Sequence, residues 1–250
     1  MPQPHTDQTP WAGPIIVTGT DTGVGKTIAT AAIAAAARAA GHRPAMIKPA
    51  QTGDDDDAGV VNRLAGCPAR ALTHYPDPLA PLAAARHIGA PPPRLQDVIT
   101  AITDTAAHHD LVLIEGAGGV LVPIGEDGWT LADLAVALTA PAVVVARAAL
   151  GTLNHTALTL EALHRRGVPT VVVIGAWPTH PELVHHTNLI DLPGTLAGTL
   201  PEGAGDLAPS VFQHHAPDWL TPTLYGRADS QALRAVAHVT TPAATQPRDF

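Results

Sequence analysis

At 250 residues the chain is long enough for one large domain with a buried core and too short for two comfortable ones. Apolar residues make up 46% and charged ones 14%, which excludes a disordered chain, while a formal charge of −8 excludes a nucleic-acid surface built on clustered lysine and arginine. The single cysteine, Cys67, cannot close an internal disulfide, and residues 1–13 lack the basic and apolar regions of an export signal, so the expectation is a soluble, cytoplasmic protein with no nucleic-acid or membrane partner.

Residues 1–13, with Pro2, Pro4 and Pro10, read as a flexible lead, and 240–250 as a flexible tail around a single domain over 14–239. Ile15-Ile16-Val17 predicts a buried strand, followed at Gly25 by a helix to about residue 40 that Gly41 stops. That Ala-rich helix is too short to span a bilayer and carries Arg38. A second strand is expected over 44–48. Residues 68–93, rich in Pro and Ala, read as a loop over the site, and 95–107 as a helix. Leu111-Val112-Leu113-Ile114, between Asp110 and Gly116, is the clearest strand. Thr130 and Asp133 form a capping box at the start of a helix. Strands over 142–145 and 168–174 are separated by a helix from about 154 to 166, with Asn154 as its N-cap. Apolar runs without alternation mean burial on both faces. The fold class is therefore α/β, a three-layer arrangement with a mostly parallel sheet and helices on both sides.

The first strand leads into Gly19-Thr20-Asp21-Thr22-Gly23-Val24-Gly25-Lys26-Thr27. A Gly-rich turn that opens a helix directs backbone N–H groups and the positive helix end at an anion. Lys26 would reach terminal phosphates and Thr27 would offer a hydroxyl to Mg²⁺. The general pattern places Gly six residues before the lysine, where this chain has Thr20, so the loop is a variant P-loop, and the fold expectation is NTPase-like.

Lys48 ends the second strand in Lys48-Pro49-Ala50-Gln51-Thr52-Gly53. Parallel strands bring their C-termini to one crevice, which would set Lys48 near Lys26 and a γ-phosphate; the alternative is a surface lysine paired with the acidic run that follows. That run, residues 54–57, is either a solvated helix start or the source of one metal ligand. Glu115 closes the apolar strand and enters Glu115-Gly116-Ala117-Gly118-Gly119, where small residues allow close approach to a ligand, though a structural glutamate paired with lysine fits as well. Gly151-Thr152-Leu153-Asn154 reads as a helix cap or as a carboxylate site. The adjacent pairs His108-His109, His185-His186 and His214-His215 point apart and do not form a chelate.

Together these segments resemble dethiobiotin synthetase, in order and spacing, over most of residues 14–205. The resemblance implies ATP-dependent ring closure of 7,8-diaminononanoic acid with CO₂, through a carbamate and a carbamic–phosphoric anhydride, with Mg²⁺ as cofactor. It assigns catalysis to Lys26 and Lys48, and the metal to Thr27, Glu115 and one aspartate. Counting back from the helix that ends near Gly66 selects Asp57. It assigns nucleotide contacts to Thr22, Gly23, Val24, Gly25, Lys26, Thr27, Asp57, Glu115, Gly116, Ala117 and Gly118. Thr52 would meet the reacting end of the substrate. A homodimer is implied, with the substrate's carboxylate at Gly151, Thr152, Leu153 and Asn154 of the neighbouring subunit. Position 23 is Gly where some relatives carry Glu. After Ile174, where many members place an adenine-reading Asn, this chain has Gly175-Ala176-Trp177. Base recognition, of ATP or another nucleoside triphosphate, would then rest on Gly175 and Ala176 with Pro201, Glu202 and Gly203.

Two rivals fit less well. Partition ATPases usually carry a lysine five residues before the loop lysine, where Asp21 stands here, and no basic patch is evident. Amidating ligases of similar fold need a glutamine-hydrolysing domain with a reactive cysteine, for which neither Cys67 nor the length provides.

Overall fold

The computed structural model describes residues 9–229 and Leu233. The expected tail over 240–250 and most of the expected lead lie outside the described residues.

β1 (Gly13–Gly19) runs into the Gly-rich turn, and α1 (Lys26–Ala39) starts at the loop lysine. β2 (Pro44–Lys48) matches the expected strand. A short β3 (Gln51–Thr52) precedes α2 (Asp57–Ala65). Residues 68–93 are more structured than the expected loop: they hold β4 (Ala69–Ala71), β5 (His74–Tyr75) and α3 (Pro81–Ile88). The reason is local. Pro81 sits in the first helical turn, where its missing N–H costs nothing and its fixed φ favours a helix start.

α4 (Leu95–Ala106) leads to β6 (Leu111–Gly119), which outruns the apolar stretch because Gly119 pairs with Gly19 of β1 after a register shift. Glu115 is thus inside the strand rather than at its end. The Thr130–Asp133 capping box opens α5 (Leu131–Leu138), followed by β7 (Ala142–Ala146). α6 (Thr152–His164) begins two residues earlier than expected, with Gly151 as its N-cap. Asn154 is an exposed residue of the first turn and not the cap. β8 (Thr170–Trp177), α7 (Leu183–Asp191), β9 (Leu196–Pro201) and α8 (Pro209–His215) complete the labelled elements.

Among the described residues, seven strands form one parallel sheet in the order β4-β2-β6-β1-β7-β8-β9. Strand residues alternate between two cores, as the two-residue pleat requires. Ile15, Val17, Leu113, Val143 and Val173 pack under α1, α2 and α8. Ile16, Ile114, Val144 and Ile174 pack under α3, α4, α5, α6 and α7. The sheet is therefore covered on both faces, as the unbroken apolar runs imply. In α1, every residue from Ala31 to Ala37 is buried, and this run of small side chains lets the helix lie close against the sheet. After β1 the chain crosses to β2 and returns through β6, then continues on the other side of β1 with β7. The connection reverses beside β1, which is where ligands bind in open parallel sheets.

Candidate active site

The crevice at the C-terminal ends of β1, β2 and β6 holds a cavity of about 540 Å³. Thr22, Gly23, Gly25, Lys26 and Thr27 line it from the phosphate loop, Lys48, Thr52 and Asp57 from β2 to α2, and Glu115, Gly116, Ala117 and Gly118 from β6. Both lysines thus face one space. Gly25 stands at φ +94°, and a side chain there would also press on the Gly175 carbonyl.

The centre of the cluster is the Thr27 hydroxyl. It lies 2.8 Å from Asp57 Oδ1 and 2.8 Å from Glu115 Oε1. A hydroxyl has one hydrogen to donate, so it cannot satisfy two ionised carboxylates at once. Three hard oxygens facing one another in this way are a donor set that suits Mg²⁺, which prefers oxygen ligands and keeps part of its water shell. Thr30 Oγ1 lies 2.9 Å from both Glu115 Oε2 and the Lys26 main-chain oxygen, so its one hydrogen is shared between them. Lys48 Nζ hydrogen-bonds Asp57 Oδ2 and stands 3.4 Å from Glu115 Oε1.

Burial and charge set the protonation states here. Lys26 is 8% exposed, and burial moves its ammonium below the ordinary lysine range, with Glu115 opposing and the nearby Lys48 reinforcing that shift. Burial also works against the Lys48 ammonium, but Glu115 and Asp57 outweigh it and hold this lysine above its usual value. For Asp57, burial would raise the carboxyl, yet Lys48 and the Thr27 hydroxyl keep it below the usual range. Glu115 has no exposed surface, and there burial prevails and raises its carboxyl despite Lys48.

The acidic run divides its labour. Asp56 caps α2 by accepting from Gly59 N at 2.8 Å, and Asp57 turns into the cluster. The run thus supplies both a helix cap and a carboxylate facing the cavity, at adjacent residues. Lys48 likewise faces the cavity while paired with an aspartate of the run.

The remaining candidates lie elsewhere. Val24 is buried on the α1 side of the sheet rather than lining the cavity. Gly175 is packed against the loop: a Cβ there would come within 1.9 Å of the Val24 carbonyl. Ala176, Pro201, Glu202 and Gly203 are exposed at the ends of β8 and β9, outside the cavity, with Glu202 N donating to Trp177 O at 2.8 Å. Gly151 is exposed, and Thr152 is buried with its N–H committed to Ala149 O. Leu153 is half-buried and packs against the core. Within one chain, residues 151–154 do not line the cavity.

Sequence reasoning missed Thr30, although it lies one turn after Lys26 and Thr27 on the same helical face. The stretch 68–93 does reach the site as expected: Pro78, Leu79, Ala80 and Pro81 form one wall of the cavity.

A helix that begins at a lysine in a Gly-rich turn, with a second lysine and two carboxylates converging from neighbouring parallel strands, defines a nucleotide-using enzyme of the P-loop α/β class. Residues 14–204 match the AAA domain family. The chain is 49% identical to the ATP-dependent dethiobiotin synthetase of Streptomyces coelicolor, over 88% of this chain and 96% of that one. It is 50% identical to the enzyme of that name from Rhodococcus jostii, over 84% and 95%, and 52% identical to that of Saccharopolyspora erythraea, over 85% and 97%. The chain belongs to the ATP-dependent dethiobiotin synthetase family.

Proposed function

We propose that the chain closes the cyclic urea of dethiobiotin from 7,8-diaminononanoate, CO₂ and ATP, within one domain over residues 14–239 in the cytoplasm. The observation that carries this reading is the convergence of Lys26, Lys48, Thr27, Asp57 and Glu115 on one cavity. No described helix is long and apolar enough to cross a membrane, which is compatible with that location.

In this reading one amine of the substrate attacks CO₂ and loses a proton to give a carbamate. A carbamate oxygen then attacks the γ-phosphorus and ADP leaves. The second amine attacks the carbamoyl carbon, phosphate departs, and the ring closes. Charge builds on phosphoryl and carbamate oxygens, and fixed cations in a site with little water stabilise it without reorganisation. Lys26, on the loop, serves the terminal phosphates. Lys48, opposite, serves the bond-forming oxygens, with Thr52 beside the reacting end of the substrate. Thr27, Asp57 and Glu115 would hold Mg²⁺, which when bound neutralises phosphate charge. Lys48, held beside these two carboxylates, faces the same cavity.

Thr22, Gly23, Gly25, Gly116, Ala117 and Gly118 cradle the phosphates from the cavity wall, and Val24 supports the loop from below. Gly175, Ala176, Pro201, Glu202 and Gly203 form the base side through main-chain groups, for ATP or another nucleoside triphosphate. The substrate's carboxylate is met by residues 151–154 of a second copy in a homodimer; Leu150, 81% exposed beside them, supports an interface there.

The test supplies diamine, bicarbonate, Mg²⁺ and each nucleotide in turn and detects dethiobiotin by mass spectrometry. Nucleotide hydrolysis with no cyclic urea formed would remove the assignment.

A further inference from the structure

We propose that Arg147 is a positioning residue for the phosphate loop: acting through Asp21, it cancels a carboxylate charge at the loop's mouth and braces the main-chain carbonyl that holds Lys26. The proposal rests on the nucleotide-site reading above and adds a determinant of nucleotide affinity to it.

Asp21 gathers three groups. Its Oδ1 accepts the Thr22 N–H at 2.7 Å, its main-chain oxygen accepts Lys26 Nζ at 3.0 Å, and its Oδ2 accepts Arg147 Nη2 at 2.5 Å. Arg147 lies 126 positions away and reaches Asp21 through the register of the sheet. β7 pairs with β1 so that Gly19 faces Val145, and Thr20 N donates to Val145 O at 2.9 Å. The residue just past β7 therefore stands beside the start of the loop.

The chemistry is a matter of sign. A triphosphate is a polyanion, and a bare carboxylate at the loop's entrance would repel it. Asp21 is retained there with its charge answered by the Arg147 guanidinium. The Asp21 and Arg147 side chains are 51% and 38% exposed, and a pair so placed adds little to fold stability. Its effect should fall on ligand affinity and leave the melting temperature alone. A brace that served only the fold would show the reverse pattern.

The experiment measures ATP binding with Mg²⁺ by titration calorimetry on the full chain, on Arg147→Ala, on Asp21→Asn and on the double variant. Asparagine keeps the acceptor for Thr22 N–H and removes the charge. Arg147→Ala is expected to weaken ATP about tenfold with an unchanged melting temperature, and Arg147→Lys to recover part of that loss. Combined with Asp21→Asn, the arginine substitution is expected to cost less than about twofold, because the charge it answered is gone. An equal cost in both backgrounds, no cost in either, or a loss that follows a fall in melting temperature overturns the proposal. If the unsubstituted chain binds no ATP, the underlying nucleotide-site reading fails, and this proposal with it.

Discussion

The Lys48 ammonium is hydrogen-bonded to the Asp57 carboxylate and lies 3.4 Å from Glu115, so one cation answers two carboxylates carried by different elements. Removing it has two consequences. Turnover in Lys48→Ala is expected to fall at least about a hundredfold, while nucleotide affinity changes little because Lys26 and the loop remain. Stability is expected to fall by about 3 kcal/mol, since Glu115 and Asp57 lose their buried counter-ion. Single-turnover assays and denaturant titration measure the two effects; full activity in this variant excludes a catalytic role for Lys48.

Gly175 and the phosphate loop leave no room between them. A Cβ at position 175 would meet the Val24 carbonyl at 1.9 Å and Val145 Cγ1 at 2.7 Å, both fixed parts of the core. Gly175→Ala is therefore expected to push the loop aside, costing about 1–3 kcal/mol and weakening nucleotide binding. Melting curves with and without nucleotide report both; a variant with normal stability and affinity would show that the contact yields freely.

Asn154 separates a substrate role from a helix-capping role. The cap of α6 is Gly151, and Asn154 is an exposed residue inside the helix. Asn154→Ala should leave the melting temperature unchanged or slightly raised, because Ala is the better helix former by a few tenths of a kcal/mol. A raised KM for the diamine in that stable variant supports the carboxylate contact, whereas an unaltered KM counts against it.

Cys67 is 2% exposed, and burial pushes its thiol up to about 11. At neutral pH so little thiolate forms that alkylation of the folded protein should be very slow, becoming fast only in denaturant. Rapid modification of the native chain at pH 7 would contradict this.

The Arg43 side chain and backbone N–H hold the Asp110 carboxyl down at about 2, below its ordinary 3.8. A carboxyl depressed in the folded state contributes its stability above the unfolded value and loses it as pH falls through the folded one. The melting temperature of Arg43→Ala should thus lie below that of the parent at pH 6, and the gap should close between about pH 4 and pH 2. A gap independent of pH would show that the pair is not its source.

Much of this was legible locally. Short apolar runs named the strands, and Thr130 with Asp133 named a helix start, because each depends on a few neighbouring residues. The family resemblance called for one aspartate, counting back along a helix selected Asp57, and the structure brings that residue to Thr27. Where reasoning slipped, the deciding contact was distant or the signal ambiguous. Asn154 is a good capping residue, but Gly151 at φ +90° starts the helix earlier. The Pro-rich stretch of 68–93 looked like a loop, yet Pro81 begins a helix and β4 completes an edge of the main sheet beside β2.

From the chain alone come the layered α/β class, the phosphate loop and the short list of charged residues able to work on a phosphate, because these follow from apolar periodicity and from glycine and lysine at set spacing. Folding in three dimensions decided which of them meet. Strand order placed β6 between β1 and β2, which brought Glu115 to the Thr27 hydroxyl, while the packing of α2 brought Asp57 to its other side and to Lys48. The same sheet set Arg147 on Asp21 and Gly175 on the loop. Spacing along a chain sets what one helix or turn can present, whereas contacts across a parallel sheet depend on crossover and register, which no single segment carries.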